Sequence, residues 1–401
     1  MAEPLERVVE APLDLGPLAF EQPFASIVAA MVFGALVFLA MATTPIILGG
    51  LVDAGRLTNQ ALGLVATFEM LGIAVGSTIR HGLLRGGYFR SKIIICCLAI
   101  AALNWLCMTA VGGGQVGVLR GACGLLEGLI LGAANLILTY TRKPEAMNGY
   151  FLGIGSAPCI AATYLLSGYA IPRFGPNPGF ILMAVVAVLA AVAALGASGD
   201  TIPKPSVRAA SGRQWGAFGV ASLVTVILQN AGVGAAYSYL AQIAKQHALS
   251  DVVIGASIAG LNTVAVAGSF LVGVVAWRLS QVVVLTLGCL IQTVVVVEIA
   301  RGHGTVVYAV ASGLFGLFWN GLIPYSFKLL IELDPSRRLA LLNSPATLAG
   351  VGVGPFVASW YVSSTNVAPA LYVAAMMFAM SAVFYLLINY LSRDVRQQEL
   401  R

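Results

Sequence analysis

Three ionisable residues stand inside stretches that are otherwise apolar enough to cross a bilayer. Glu69 sits in ATFEMLG, and Arg120 and Glu127 sit in VLRGACGLLEGLILGAANLILTY. An ionisable side chain in hydrocarbon costs about 3 kcal/mol or more, so by default it marks a relay, a partner or a pathway. Arg120 and Glu127 lie seven positions apart and share one face of a helix, separated by about 10 Å of rise. Glu69, about nine residues into its own segment, falls at a depth between them. Burial favours the neutral form of a carboxyl and a nearby guanidinium favours the ionised form. A change of surroundings can therefore load and unload a proton at Glu69 or Glu127, with Arg120 as the modulator. The plainer alternative is a fixed Glu–Arg salt bridge. Arg120 has a further possible role, since its planar fork suits bidentate binding of a substrate carboxylate.

A second set lies in the C-terminal half: Asn230, Tyr237, Asn262, Trp319, Asn320 and Asn343. Aromatic walls carrying a few amides suit an amphipathic organic solute. Tyrosine and tryptophan also populate membrane interfaces and bundle cores, which is the competing explanation. His81, His247 and His303 lie in loops or at helix ends and make neither a metal cluster nor a nucleophile–base pair. No Gly-x4-Gly-Lys-Ser/Thr loop occurs, so ATP-driven chemistry is not expected. The sequence therefore predicts no catalytic residues, no metal and no cofactor, and the chain is not read as an enzyme.

The elements that must hold these residues are membrane helices. Of 401 residues, 59% are hydrophobic and only 9% charged, where a soluble domain carries about 25% charged residues. The net charge of +6 does not point to nucleic acid, because the basic residues are scattered singly at the ends of apolar runs. All six cysteines fall within apolar runs without metal-site or disulfide-framework spacing. Using the roughly 20-residue requirement for spanning, the chain divides into twelve apolar segments. An N-terminal tail (1–25) precedes a six-helix bundle (26–198). A polar linker (199–214) leads to a second six-helix bundle (215–391) and a C-terminal tail (392–401). Seventeen lysines and arginines fall on the side of the termini. Four (Arg56, Arg173, Lys245 and Arg301) fall on the other, with Arg120 inside the membrane. The positive-inside rule then places both tails and the linker in the cytoplasm, in the cell (inner) membrane.

The two bundles repeat one another. Gly153-x-Gly155-x-Ala157-Pro158-x-Ile160-Ala161-x-x-Tyr164 returns 197 residues later as Gly350-x-Gly352-x-Gly354-Pro355-x-Val357-Ala358-x-x-Tyr361. At an offset of 192, Gly63 and Gly76-Ser77 match Gly255 and Gly268-Ser269, while Gly121 and Gly124 match Gly313 and Gly316. Matches in order across three helix pairs mark tandem halves. The charges do not repeat: Glu69 corresponds to Leu261, Arg120 to Ser312 and Glu127 to Trp319. Shared residues read as scaffold and differing residues as function.

Twelve spans, a six-plus-six repeat, a cytoplasmic middle linker and both termini inside resemble the major facilitator superfamily across essentially the whole chain. Leu119-Arg120-Gly121-Ala122-Cys123-Gly124 is similar to that family's arginine-glycine motif of helix four, which the resemblance associates with proton transfer. Gly153 to Pro158 is similar in part to the antiporter motif of helix five, but Cys159-Ile160-Ala161 stands where that motif has glycines. In the loop after helix two, Gly76 is followed by Arg80, Arg85 and Arg90 without the family's aspartate. The resemblance implies an all-α integral membrane protein: twelve transmembrane helices as two pseudo-symmetric six-helix bundles around a central site. It implies a monomeric secondary transporter whose partners are a small organic solute, protons and the lipid bilayer. Proton-coupled import of an organic acid or aromatic compound is the first expectation, and proton-coupled export of drugs or metabolites the second. A non-transporting membrane receptor or sensor is the alternative of another class.

Overall fold

A computed structural model describes residues 22–83, 88–139, 141, 144–198, 217–275, 280–333, 339 and 342–399. The expected linker and most of the expected N-terminal tail lie outside the described residues. The N-terminal half contains α1 (Phe24–Asp53), α2 (Asn59–Leu83), α3 (Phe89–Cys107), α4 (Gly113–Thr139), α5 (Pro144–Leu165) and α6 (Asn177–Ala193). The C-terminal half contains α7 (Ala217–Gln246), α8 (Asp251–Val275), α9 (Gln281–Arg301), α10 (Thr305–Leu333), α11 (Asn343–Ser359) and α12 (Ala368–Glu399). Between α5 and α6 the chain passes through a π turn, Leu166–Ala170, and one further helical turn, Ile171–Phe174.

Helices are the solution these segments allow. In hydrocarbon every backbone N–H and C=O must be satisfied within the segment, and a helix does this without a partner strand. Eleven of these helices are long and apolar enough to cross a membrane by themselves. The remaining one, α11, has 17 described residues, about 25 Å at 1.5 Å per residue. It packs on α2 and α7. The helix α12 runs past the expected end of the bundle to Glu399, so the polar C-terminal residues extend the last span as helix.

The halves carry the same packing. In the N-terminal half α2 lies along α4, and in the C-terminal half α8 lies along α10. A Cβ on Gly124 would collide with the carbonyl oxygen of Glu69, and a Cβ on Gly316 would collide with that of Leu261. Likewise Gly76 faces the Leu125 carbonyl and Gly268 the Leu317 carbonyl. Each pair of contacts is related by the 192-residue offset seen in the sequence. The repeat is thus one backbone-to-backbone approach built twice, with small residues as its condition.

Between the halves, α2 crosses α11, α5 crosses α8 and α1 crosses α7. Call the end where α1 passes into α2 the far end, and the opposite end, where α1 begins and α12 finishes, the terminal end. At the far end Tyr237 donates to the Ala42 carbonyl (2.9 Å), Gln242 to the Gly49 carbonyl (2.9 Å), and Lys245 pairs with Asp53. Tyr239 donates to the Asn59 carbonyl (3.0 Å), and the Asn59 and Gln60 amides donate to the Ser363 and Val362 carbonyls (2.8 and 3.1 Å). From Tyr237 to Lys245 these ties span about 12 Å of α7.

Candidate functional site

The three charges predicted in the N-terminal half come together in one dry cluster. Glu69, Arg120 and Glu127 are each buried to 1% exposure or less. The close approach of α2 to α4 at Gly124 is what brings Glu69 beside Arg120. Arg120 Nε donates to Glu69 Oε2 at 2.9 Å, and a terminal nitrogen of the same guanidinium pairs with Glu69 Oε1. Two residues outside the predicted set complete the guanidinium's shell. Asn104 of α3 accepts from it through Oδ1 (3.0 Å) and Thr44 of α1 through Oγ1 (3.2 Å), while Thr44 itself donates to Glu69 (2.7 Å). Every nitrogen of Arg120 is therefore engaged by protein groups, which leaves no free fork for a substrate carboxylate.

Glu127 is placed differently. Its Oε1 is 4.0 Å from Arg120, beyond hydrogen-bond distance, and neither of its carboxylate oxygens has a hydrogen-bond partner among the described residues. One guanidinium thus faces two carboxyls. Such a group is neutral only with one proton on board, and a net charge in a dry interior is costly. Glu69 accepts three hydrogen bonds, from Arg120 and Thr44, and Glu127 accepts none among the described residues.

Glu127, Leu131 and Asn135 succeed one another at four-residue intervals on α4, one face of the helix. Leu131 and Asn135 line a cavity of about 490 Å³ that lies between the two halves, on the terminal side of the α1–α7 ties. The cavity takes in Tyr237, Asn262, Trp319, Asn320 and Asn343 from the predicted binding set. Tyr237 and Trp319 form its aromatic floor, with ring centroids 5.0 Å apart at 56°. Asn230 does not line it. Its Nδ2 donates to the Val226 carbonyl (2.9 Å), and it is buried where α7 meets α11: a Cβ on Gly350 would lie 2.8 Å from the Asn230 Cβ.

The sequence reading missed Asn135 and Ser156 on the N-terminal wall and Ser344 and Thr347 on α11, together with Phe38, Met41 and Phe151. Four-residue spacing from Glu127 could have found Asn135, and the same spacing from Asn343 could have found Thr347. Cavity wall and charged cluster thus adjoin along one face of α4, with room in the cavity for an organic solute.

No protein-family model and no curated protein sequence matches the chain. Solved structures do. The nucleoside transporter NupG superposes with a TM-score of 0.70 at 12% identity, covering 91% of this chain and 99% of that one. A bacterial homolog of the human lysosomal transporter Spinster, in an inward-facing and occupied conformation, superposes with a TM-score of 0.69 at 14% identity, covering 91% and 96%. At these identities the likeness is one of architecture, and at 91% of the chain it takes in both halves: the chain shares the fold of these two transporter structures.

Proposed function

We propose that this protein is a secondary transporter that carries a small organic solute across the membrane by alternating access, coupled to protons. The observation that carries this reading is the cavity between two repeated halves, closed at one end, with a proton-competent cluster one helical turn behind its wall. Transport by the NupG and Spinster-type structures supports it at the level of the shared architecture. Rocking of residues 26–198 against 215–391 would break the far-end ties and close the terminal end in their place. With the termini in the cytoplasm of the cell (inner) membrane, this conformation faces inward. Glu127 then exchanges its proton with the solute cavity in one state, and Arg120 disfavours reloading in the other. The chain works as a monomer in this scheme.

Symport is the simplest cycle, because a proton on Glu127 and a solute against Leu131 and Asn135 occupy adjoining space in one conformation. Export by antiport is the competing reading, suggested by the partial motif at Gly153 to Pro158. Purified protein in liposomes separates the two. With an inward proton gradient and a pH dye outside, addition of a transported solute from a panel of organic acids, aromatics and cationic drugs alkalinises the exterior under symport. Acidification on the same addition means antiport. Radiolabelled solute flux with no proton movement in either direction sinks the coupling.

A further inference from the structure

The cavity wall also carries information about charge. Among the described residues that line it, none is an aspartate, glutamate, lysine, arginine or histidine. Behind the wall, Arg120 is 1% exposed and spends its guanidinium on Glu69, Asn104 and Thr44. On α10 the first charged residue toward the terminal end is Lys328, eight positions and about 12 Å of rise from Asn320. A carboxylate entering this space would find no free cation on the wall, and an ammonium no carboxylate, among the described residues; Glu127 stands one helical turn behind Leu131, and an ion left uncompensated in such a site is strongly disfavoured.

What the wall offers instead is divided between the halves. The N-terminal face is mostly apolar, with Phe38, Met41, Leu131 and Phe151, and carries Asn135 and Ser156 as its polar groups. The C-terminal face carries the amides of Asn262, Asn320 and Asn343 and the hydroxyls of Ser344 and Thr347 around the Tyr237–Trp319 floor. Asn320 makes no hydrogen bond among the described residues, and Thr347 Oγ1 is buried without a partner. An amide presents both donors and an acceptor, so a matching solute presents both along one edge. The Tyr237 and Trp319 rings, in contact with each other, offer ring faces on which a flat body can stack.

We propose that the cavity selects an uncharged, planar solute with a carboxamide or cyclic-imide edge, and rejects its carboxylate and cationic counterparts. This rests on the transport reading above and narrows its substrate to a neutral class, against the organic acid expected from sequence. Asn320 is the specificity residue, reading the polar edge, and Trp319 supports the ring.

Full-length protein in detergent tests this by calorimetric binding of matched sets. Nicotinamide, nicotinate and 1-methylnicotinamide differ chiefly in charge, and orotate adds a carboxylate to uracil. The expected result is binding of the neutral members at least tenfold tighter than their charged counterparts. Asn320→Leu should lose that preference while keeping the unfolding temperature, and Asn320→Asp should turn it toward the cation. Equal or tighter binding of nicotinate or orotate overturns the proposal, and so does silence across both sets. Failure here is separable from failure of transport. Proton-driven flux of a charged solute would overturn the neutral class and leave transport standing. Binding of nicotinamide or uracil without flux in liposomes would do the reverse.

Discussion

At the scale of single residues, the N-terminal cluster contains two carboxyls with different work. Glu69 is fixed by Arg120 and Thr44, whereas Glu127 lies within reach of Arg120 without bonding to it. Glu127→Gln is isosteric with the protonated acid, so it should abolish pH-driven accumulation while preserving solute counterflow, measured in liposomes at symmetric pH. Equal loss of both activities would tell against Glu127 as the proton carrier. Arg120→Ala should cost about 3–5 kcal/mol of stability by leaving Glu69 charged and unpaired, and Glu69→Gln in the same background should recover part of it. Thermal unfolding in detergent gives both values. The charges themselves were legible in the sequence, because an acid or a base in an apolar span is conspicuous. Their amide partner was not. Asn104, Asn230 and Asn262 each donate to the carbonyl four residues earlier, so the three are alike along the chain. Only the packing of neighbouring helices sends one to Arg120, one to a helix seam and one to the cavity.

At the scale of helices, the glycine repeat proved to be a description of contacts. The offset of 192 that aligns Gly124 with Gly316 also aligns the carbonyls they touch, those of Glu69 and Leu261. Gly124→Val should therefore destabilise the protein by about 1–3 kcal/mol through overpacking and also displace Glu69 from Arg120. Gly316→Val should destabilise to a similar extent without affecting proton coupling. Gly114→Ala, where an added Cβ meets nothing within 4 Å, is the neutral control. Unfolding temperature paired with pH-driven uptake distinguishes the three. The twelve segments were readable from hydropathy because each has to satisfy its backbone in lipid alone. The short span of α11 and the helical run of α12 to Glu399 were less so: the first depends on packing against α2 and α7, the second on how far a helix persists once it leaves the apolar layer.

At the scale of the whole molecule, the far-end ties set which way the cavity faces. The Lys245–Asp53 pair is partly exposed and so contributes little by itself. Gln242 and Tyr237, buried and bonded to carbonyls of α1, carry more of the closure. Gln242→Ala with Lys245→Ala should raise labelling of Cys159, which lines the cavity, by a maleimide applied from the far side. The expected rise is several-fold in a variant whose other five cysteines are replaced by serine or alanine. Unchanged labelling would mean that the α2–α11 and α5–α8 crossings hold the end shut without α7. In these ties between α7 and its neighbours, the acceptors at Ala42, Gly49 and Asn59 are main-chain oxygens, while the donors at Tyr237, Tyr239 and Gln242 are side chains. A carbonyl survives almost any substitution of its own residue. Over generations the α1 side can drift among small residues at little penalty, while α7 cannot. A mutational scan of the closed end should find tolerance on one partner and intolerance on the other, although both make the same bonds.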